Sequence, residues 1–522
     1  MAAERADRVV VVGAGIGGLV SALLLASQGV QVTLVEAAEA PGGKMRRLPL
    51  GEGIDGGPTV FTMRWVFEQI LDQAGFAIAD LPRLSPLGVL ARHAWRGHDR
   101  RLDLYADHRR STEAIGAFAG ADEARRFEAF CAQAREVYRR LEGPYIRAGR
   151  SSLWAMGRDL GPRGLATLMG LGPFSSLWSA LGRHFRDPRL RQLFGRYATY
   201  CGASPWQAPA TLMLVAQVEL DGVWSVEGGM HAVAQRFAGL AARRGATLRY
   251  ASRCERILVQ GGRASGVRLA GGEEIAADAV VFNGDPQALV QGLLGEASAR
   301  AVPALPRAQR SLSALTWAIH GRTAGFPLVR HNVFFDDDYA SEFDDIFRAR
   351  QLPARGTVYV CAQDRGDAGV HDGAERLLCL VNAPAEGDRR DFDAREVGPC
   401  EQRSLDLLSA CGLQIDMETA QVLRTTPRDF HALFPATGGA LYGQATHGWM
   451  SSFRRPGSAT ALPGLFLAGG GVHPGPGVPM AALSGQLAAA TTMAHLDSIS
   501  RSRRVAISGG TSTRSATTAA TP

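Results

Sequence analysis

Two long runs without a charged side chain stand near opposite ends of the chain, residues 9–35 and 462–496. The first opens with four β-branched residues, VVVV at 9–12, breaks at Gly13, and continues with an apolar stretch of helical character. It ends in a second strand over 31–35, closed by Glu36. The middle of the chain alternates differently. A helix is expected over 231–244, followed by short strands at 247–250, 255–259, 264–269 and 279–283, with Gly261-Gly262 and Gly271-Gly272 as hairpin turns. The second uncharged run begins with a strand at 465–468, crosses a loop rich in Gly and Pro, and enters a small-residue helix near Met480. Residues 164–182 form a third uncharged stretch. Leu177, Trp178, Leu181 and Phe185 fall on one helical face there, and arginines surround it: Arg147, Arg150, Arg158, Arg163, Arg183, Arg186, Arg189 and Arg191; such a face suits an interfacial membrane anchor or, equally, a buried core helix with solvated flanks.

The glycines carry the first chemistry. Gly13-x-Gly15-x-x-Gly18 sits between a strand and a helix, and Ile16 and Gly17 complete the turn. Gly13 permits the tight turn, Gly15 lets backbone approach a pyrophosphate, and Gly18 lets helix and strand pack closely. The helix start offers free N–H groups and a positive dipole end to phosphates, and Glu36 is placed to accept hydrogen bonds from ribose hydroxyls. Two more clusters, Pro41-Gly42-Gly43-Lys44 and Asp55-Gly56-Gly57-Pro58-Thr59, follow at once. A nicotinamide has no evident need of them; a long flavin that spans the domain does.

Composition adds bounds. At 522 residues, 46% apolar and 20% charged, the chain can fill two or three domains, and its 62 glycines suit a backbone that approaches a ligand repeatedly. The formal charge of +7 is not gathered into lysine-rich blocks, so nucleic acid is not an expected partner. Seven scattered cysteines without CxxC, and no histidine spacing typical of zinc, point to a reducing compartment and no metal site. Residues 1–8 carry mixed charge without a signal peptide's basic start, and the glycines of 9–35 argue against a membrane span. Residues 499–522 are expected to be a disordered tail.

The order of these motifs resembles the flavin amine oxidase and carotenoid desaturase superfamily. The usual pattern after the acid is Pro-Gly-Gly-Arg, so Lys44 departs from it, with Arg46 and Arg47 close enough to supply a guanidinium. The wording of the C-terminal loop, Gly469-Gly470-Gly471-Val472-His473-Pro474-Gly475-Pro476-Gly477-Val478-Pro479-Met480, resembles carotenoid and phytoene desaturases and not amine oxidases. The stretch 197–211, with Gly222-Val223-Trp224, is closest to the branch acting on 1-hydroxylated acyclic carotenoids of the hydroxyneurosporene type.

That resemblance implies an α/β fold: a Rossmann-like FAD-binding domain of amine oxidase type (residues 1–75, 220–290 and 421–498), interleaved with an α+β substrate domain (76–219 and 291–420). Residues 144–200 would be a helical, membrane-associating part. FAD would bind non-covalently, since no cysteine follows Cys411. Its site would comprise Gly13, Gly15, Ile16, Gly17, Gly18, Glu36, Gly42, Gly43, Lys44, Gly57, Pro58, Thr59, Gly469, Gly470, Val478, Pro479 and Met480, with Cys254 touching the adenine through its backbone. The implied reaction is C-3,4 desaturation of the carotenoid by hydride transfer to flavin N5, with quinone or oxygen as electron acceptor. The setting would be the cytoplasmic side of the inner or photosynthetic membrane, which the protein would touch peripherally. Stabilisation would come mostly from polyene and cofactor, so no catalytic side chain is nominated; His473 invites an acid/base role, but a positional one fits as well. Phytoene desaturase, carotene isomerase or saturase, flavin amine oxidase and a lipid-binding chaperone are the rival functions.

Overall fold

The computed structural model describes residues 7–149, 161, 175–366, 371 and 373–508. A five-stranded parallel sheet organises one half. Its strands are β1 (Arg8–Val12), β2 (Gln31–Val35), β3 (Thr247–Arg249), β4 (Ala279–Phe282) and β5 (Leu465–Leu467), in the spatial order β5-β4-β1-β2-β3. Pairing runs Val9 to Ala279 on one side of β1 and Arg8 to Gln31 on the other. The outer strands join as Val280 to Leu465 and Thr33 to Thr247. The VVVV run is buried on both faces, which is why it shows no alternation. Three helices cover one face: α1 (Ile16–Ser27), α2 (Met230–Arg243) and α3 (Val478–Ser508). α1 is buried almost all round between them. The hairpin strands Cys254–Gln260, Arg263–Leu269 and Glu274–Ala276 form a small antiparallel sheet beside the other face.

The other half is built on a seven-stranded sheet. Its order is Gln421–Thr425, Ser313–Gly321, Glu375–Ala383, Val358–Ala362, His331–Phe335, Val89–Trp95, Leu102–Tyr105. Only the His331–Phe335 and Val89–Trp95 pair is parallel. Helix Ala394–Ala410 contributes to a core on this sheet, and helices Ala121–Leu141, Leu177–His184 and Pro188–Gly195 share a second core with it.

Three expectations change. Strand Gln421–Thr425 pairs with Ser313–Gly321 and so belongs to the second sheet, which moves it out of the segment 421–498 assigned to the flavin domain. α3 runs to Ser508, past the expected start of a disordered tail; residues 509–522 lie outside the described residues. Three of the four residues on the apolar face at helix Leu177–His184 are core: Leu177 and Leu181 are fully buried and Phe185 is 1% exposed, in one cluster with Phe130 and Phe194, while Trp178 is half-buried against Trp206 at 4.5 Å. A face sealed by protein cannot insert into lipid while the fold is intact. Arg191 stacks on Trp178, and Arg189 pairs with Asp187, so part of the arginine rim serves the fold. Residues 150–160 and 162–174 of the expected membrane part lie outside the described residues, and among the described residues no helix is long and apolar enough to cross a membrane.

Candidate functional site

The two uncharged runs meet. A Cβ on Gly17 would stand 2.8 Å from the backbone nitrogen of Gly469, and one on Gly485, in α3, would stand 2.3 Å from the Gly17 carbonyl oxygen. The Ser21 hydroxyl lies 2.9 Å from both the Gly17 and the Gly485 carbonyl oxygens and so ties α1 to α3. Gly18 is needed for a different contact, since its Cβ would fall 2.1 Å from the Gly13 carbonyl oxygen. Gly13 itself has φ +101, open to glycine and strained for other residues.

The second cluster closes on the first. Gly42 bridges Gly15 in parallel fashion and donates its N–H to the Ala14 carbonyl at 2.9 Å; a Cβ on Gly43 would lie 3.3 Å from the Gly15 Cα. Gly57 passes so near Lys44 that a Cβ would meet its carbonyl oxygen at 1.8 Å. Glu36, at the end of β2, accepts N–H bonds from Ala14 at 2.6 Å and Ala38 at 2.9 Å. Ile16 and Val478 share the core beneath these loops, Met480 packs against it, and Pro479 is buried. Gly470 sits above, 3.7 Å (Cβ) from the Pro476 Cα. Cys254 borders the core that includes Val12 and Val35, at the same ends of β1 and β2; burial pushes its thiol up to about 11, so it is inert.

Helix starts decide where an anion can sit. α2 is taken: the Asp55 carboxylate accepts the Met230 N–H at 2.6 Å and the His231 N–H at 3.2 Å, while burial raises the Asp55 pKa against those bonds. α1 begins at Gly15 with no side-chain cap and no acid in its first turn, and α3 also has no acid in its first turn. Two positive helix ends flanked by glycine backbone, with a ribose-reading acid beside one, suit a long, doubly phosphorylated flavin. These residues fit FAD.

Lys44 turns inward. Its Nζ donates to the Leu441 carbonyl at 2.5 Å, and burial lowers its pKa, opposed by the nearby Asp285 carboxylate. Burial in turn raises Asp285. Arg46 and Arg47 do not stand in for the missing arginine: Arg46 reaches Thr425 Oγ1 at 3.0 Å, and Arg47 folds onto the Glu52 carbonyl of its own hairpin. Thr59, beyond Pro58, shares a 2.7 Å hydrogen bond with the Tyr359 hydroxyl and so faces the second half of the protein. His473 is positional: it is 1% exposed, lies edge-on to Tyr145 at 5.1 Å, and its Nε2 donates to the Ala148 carbonyl at 2.9 Å.

Asn283 is a site residue that motif reading missed. It follows β4 at the point where neighbours of β1 diverge, its amide donates to the Gly13 carbonyl at 3.3 Å, and Cβ atoms on Gly15 or Gly17 would strike it at 2.7 Å. Its position one residue past a buried parallel strand was the available signal. Nothing local marks Asp285, or Arg455, whose charge joins burial in lowering the Lys44 pKa. Among the described residues no cluster could hold a metal ion.

Fold and glycine cradle together define a flavoprotein of the two-domain oxidase type. The flavin containing amine oxidoreductase family matches residues 16–493, and the chain belongs to it, in its carotenoid desaturase branch. FAD is its cofactor. Over 516 residues the chain is 69% identical to a hydroxyneurosporene desaturase of Rubrivivax gelatinosus, covering 98% of each. It is 33% identical to a zeta-carotene-forming phytoene desaturase of Myxococcus xanthus, covering 97% of this chain and 98% of that one. A solved putrescine oxidase bound to putrescine shares the fold, with a TM-score of 0.58 and 15% identity over 95% of this chain and all of that one.

Proposed function

We propose that this protein introduces a C-3,4 double bond into a 1-hydroxylated acyclic carotenoid of the hydroxyneurosporene type. The observation that carries the reading is 69% identity along 98% of the chain to a hydroxyneurosporene desaturase, in a protein whose glycine cradle is intact. FAD, when bound, supplies the acceptor for hydride at its N5.

The chain's own tasks are binding, orientation and exclusion of water. Gly15, Gly42 and Gly43, with the start of α1, would hold the pyrophosphate, Glu36 would take the ribose, and the 469–480 loop with the start of α3 would hold the ring end. Lys44, Gly57, Pro58 and Thr59 would extend this cradle, and Thr59 bonds Tyr359 of the second half. A hydride leaving an allylic carbon leaves positive charge spread over the polyene, so orientation within about 3–3.5 Å contributes more than any one side-chain acid or base. The substrate is insoluble in water and is drawn from a bilayer. We place the peripheral membrane contact in residues 144–200, outside the buried face of helix Leu177–His184, on the cytoplasmic side of the inner or photosynthetic membrane, with quinone or oxygen taking the electrons.

The test is product analysis by absorption and mass after incubation of the holoenzyme with a 1-hydroxylated acyclic carotenoid and, separately, with phytoene. Loss of two hydrogens from the hydroxylated substrate supports the reading. Turnover of phytoene alone overturns the substrate assignment in favour of a phytoene desaturase.

A further inference from the structure

A polar cluster, with Tyr197 and Tyr200 from the stretch 197–211, stands in the interior beyond Thr59. The turn Arg196–Cys201 brings Arg196 over the ring of Tyr200, 5.0 Å from its centroid, and the guanidinium Nη2 donates to the Tyr200 hydroxyl at 2.6 Å. That hydroxyl donates to Glu219 at 2.9 Å, and the Tyr197 hydroxyl donates to the other Glu219 oxygen at 2.7 Å. Each Glu219 oxygen thus accepts from a tyrosine hydroxyl. The Arg196 Nε–H is left buried with no partner. A second such group lies within reach of the same charge: His331, whose Nδ1 bonds the Tyr359 hydroxyl at 2.7 Å, keeps a buried Nε2 with none.

Burial raises Tyr200, Glu219 and Tyr359; it also acts to lower Arg196, but the tyrosines and Glu219 around the guanidinium outweigh it and hold it charged, and each of the four side chains retains partial accessibility. The cluster reaches the loops of the cofactor cradle. Tyr359 bonds Thr59, and Tyr442, which also feels the Arg196 charge, follows the residue that accepts from Lys44. A buried donor left unmade is costly, and an oxygen supplied by a ligand would satisfy it.

Resting on the substrate class proposed above, we infer that Arg196, oriented by Tyr200 and Glu219, donates its Nε–H to the hydroxyl oxygen on C-1 of the carotenoid and so determines specificity. C-1 lies two carbon–carbon bonds of about 1.5 Å from C-3, so a group that reads this hydroxyl must stand close to the reacting carbons. A hydrocarbon end group would leave the donor unmade, which is how a site built around a hydrogen bond rejects the analogue lacking it.

The experiment compares kcat/KM of holoenzyme on a 1-hydroxylated acyclic carotenoid and on the same polyene without the hydroxyl, for wild type, Arg196→Lys and Tyr200→Phe. Lysine keeps the charge and removes the Nε–H. The preference for the hydroxylated substrate should fall about 10-fold or more in Arg196→Lys. It should fall less in Tyr200→Phe, which keeps the donor and loosens its orientation; flavin content should hold in both. Tyr200→Phe carries the test if Arg196→Lys does not fold. Equal loss on both substrates, or an unchanged preference, overturns the inference. A wild type that desaturates both equally overturns it while leaving desaturation intact, whereas a wild type that desaturates neither refutes the function itself.

Discussion

Gly485→Ala tests the junction of the two chain ends with a single methyl group. In isolation alanine favours a helix over glycine by about 1 kcal/mol. Here the new Cβ would stand 2.3 Å from the Gly17 carbonyl oxygen, where ordinary contact begins at 3.4 Å, so α3 must retreat by the difference of about 1 Å. Crowding of this kind costs about 1–3 kcal/mol. The retreat also stretches one of the two 2.9 Å approaches that Ser21 makes to Gly17 and Gly485, worth about 1 kcal/mol. After the helical gain is subtracted, a net loss of about 1–3 kcal/mol is expected, together with weaker flavin retention, because the start of α3 moves with it. Gly239→Ala in α2 is the control: its Cβ meets nothing within 4 Å, so it should gain up to about 1 kcal/mol. Urea unfolding followed by circular dichroism, with flavin per protein measured by absorbance, reads both. A Gly485→Ala protein as stable and as flavin-rich as wild type would refute the close approach of α1 and α3.

Gly15→Val should purify without flavin, since its Cβ would lie 2.7 Å from the Asn283 amide nitrogen and its methyl groups would enter the cradle; normal flavin content would contradict the placement of the motif. Phe185→Ser should destabilise by about 3–5 kcal/mol through the core it shares with Phe130 and Phe194, and an exposed, lipid-binding phenylalanine would instead leave stability unchanged. His93 is buried and neutral, its pKa lowered to about 3, chiefly by burial. Because the folded value is depressed, the unfolded chain takes up a proton below about pH 6.5 that the native state refuses, and stability falls as pH is lowered, by about 1.4 kcal/mol per unit toward pH 3. His93→Gln lacks this dependence, so its stability relative to wild type should rise by about 2 kcal/mol between pH 6 and pH 4.5; a constant difference in denaturant titrations would refute it.

Local periodicity made the nucleotide half legible. The VVVV run, the Gly13–Gly18 turn and the strand before Glu36 have short-range signals, and their positions in β1, α1 and β2 match the expectation closely. Facts that depend on pairing across hundreds of residues were not legible. Strand Gln421–Thr425 has nothing in its own residues that prefers one sheet to the other. The face of helix Leu177–His184 shows why: an apolar stripe rimmed by arginine has the same pattern whether lipid or protein covers it, and only the packing of Phe130 and Phe194 decides. Of the basic residues 44, 46 and 47, spacing did not reveal that the lysine points into the site. Arg196, Glu219 and Tyr359 come together only in three dimensions.

The most direct measurement is an anaerobic single turnover of flavin-loaded protein with a 1-hydroxylated acyclic carotenoid. The oxidised flavin band should bleach with the same rate constant at which the polyene absorption moves to longer wavelength, and the product should have lost two hydrogens. A flavin that stays bound and oxidised while substrate is present would contradict the claim that the joined ends of this chain hold the acceptor for the carotenoid's hydrogens.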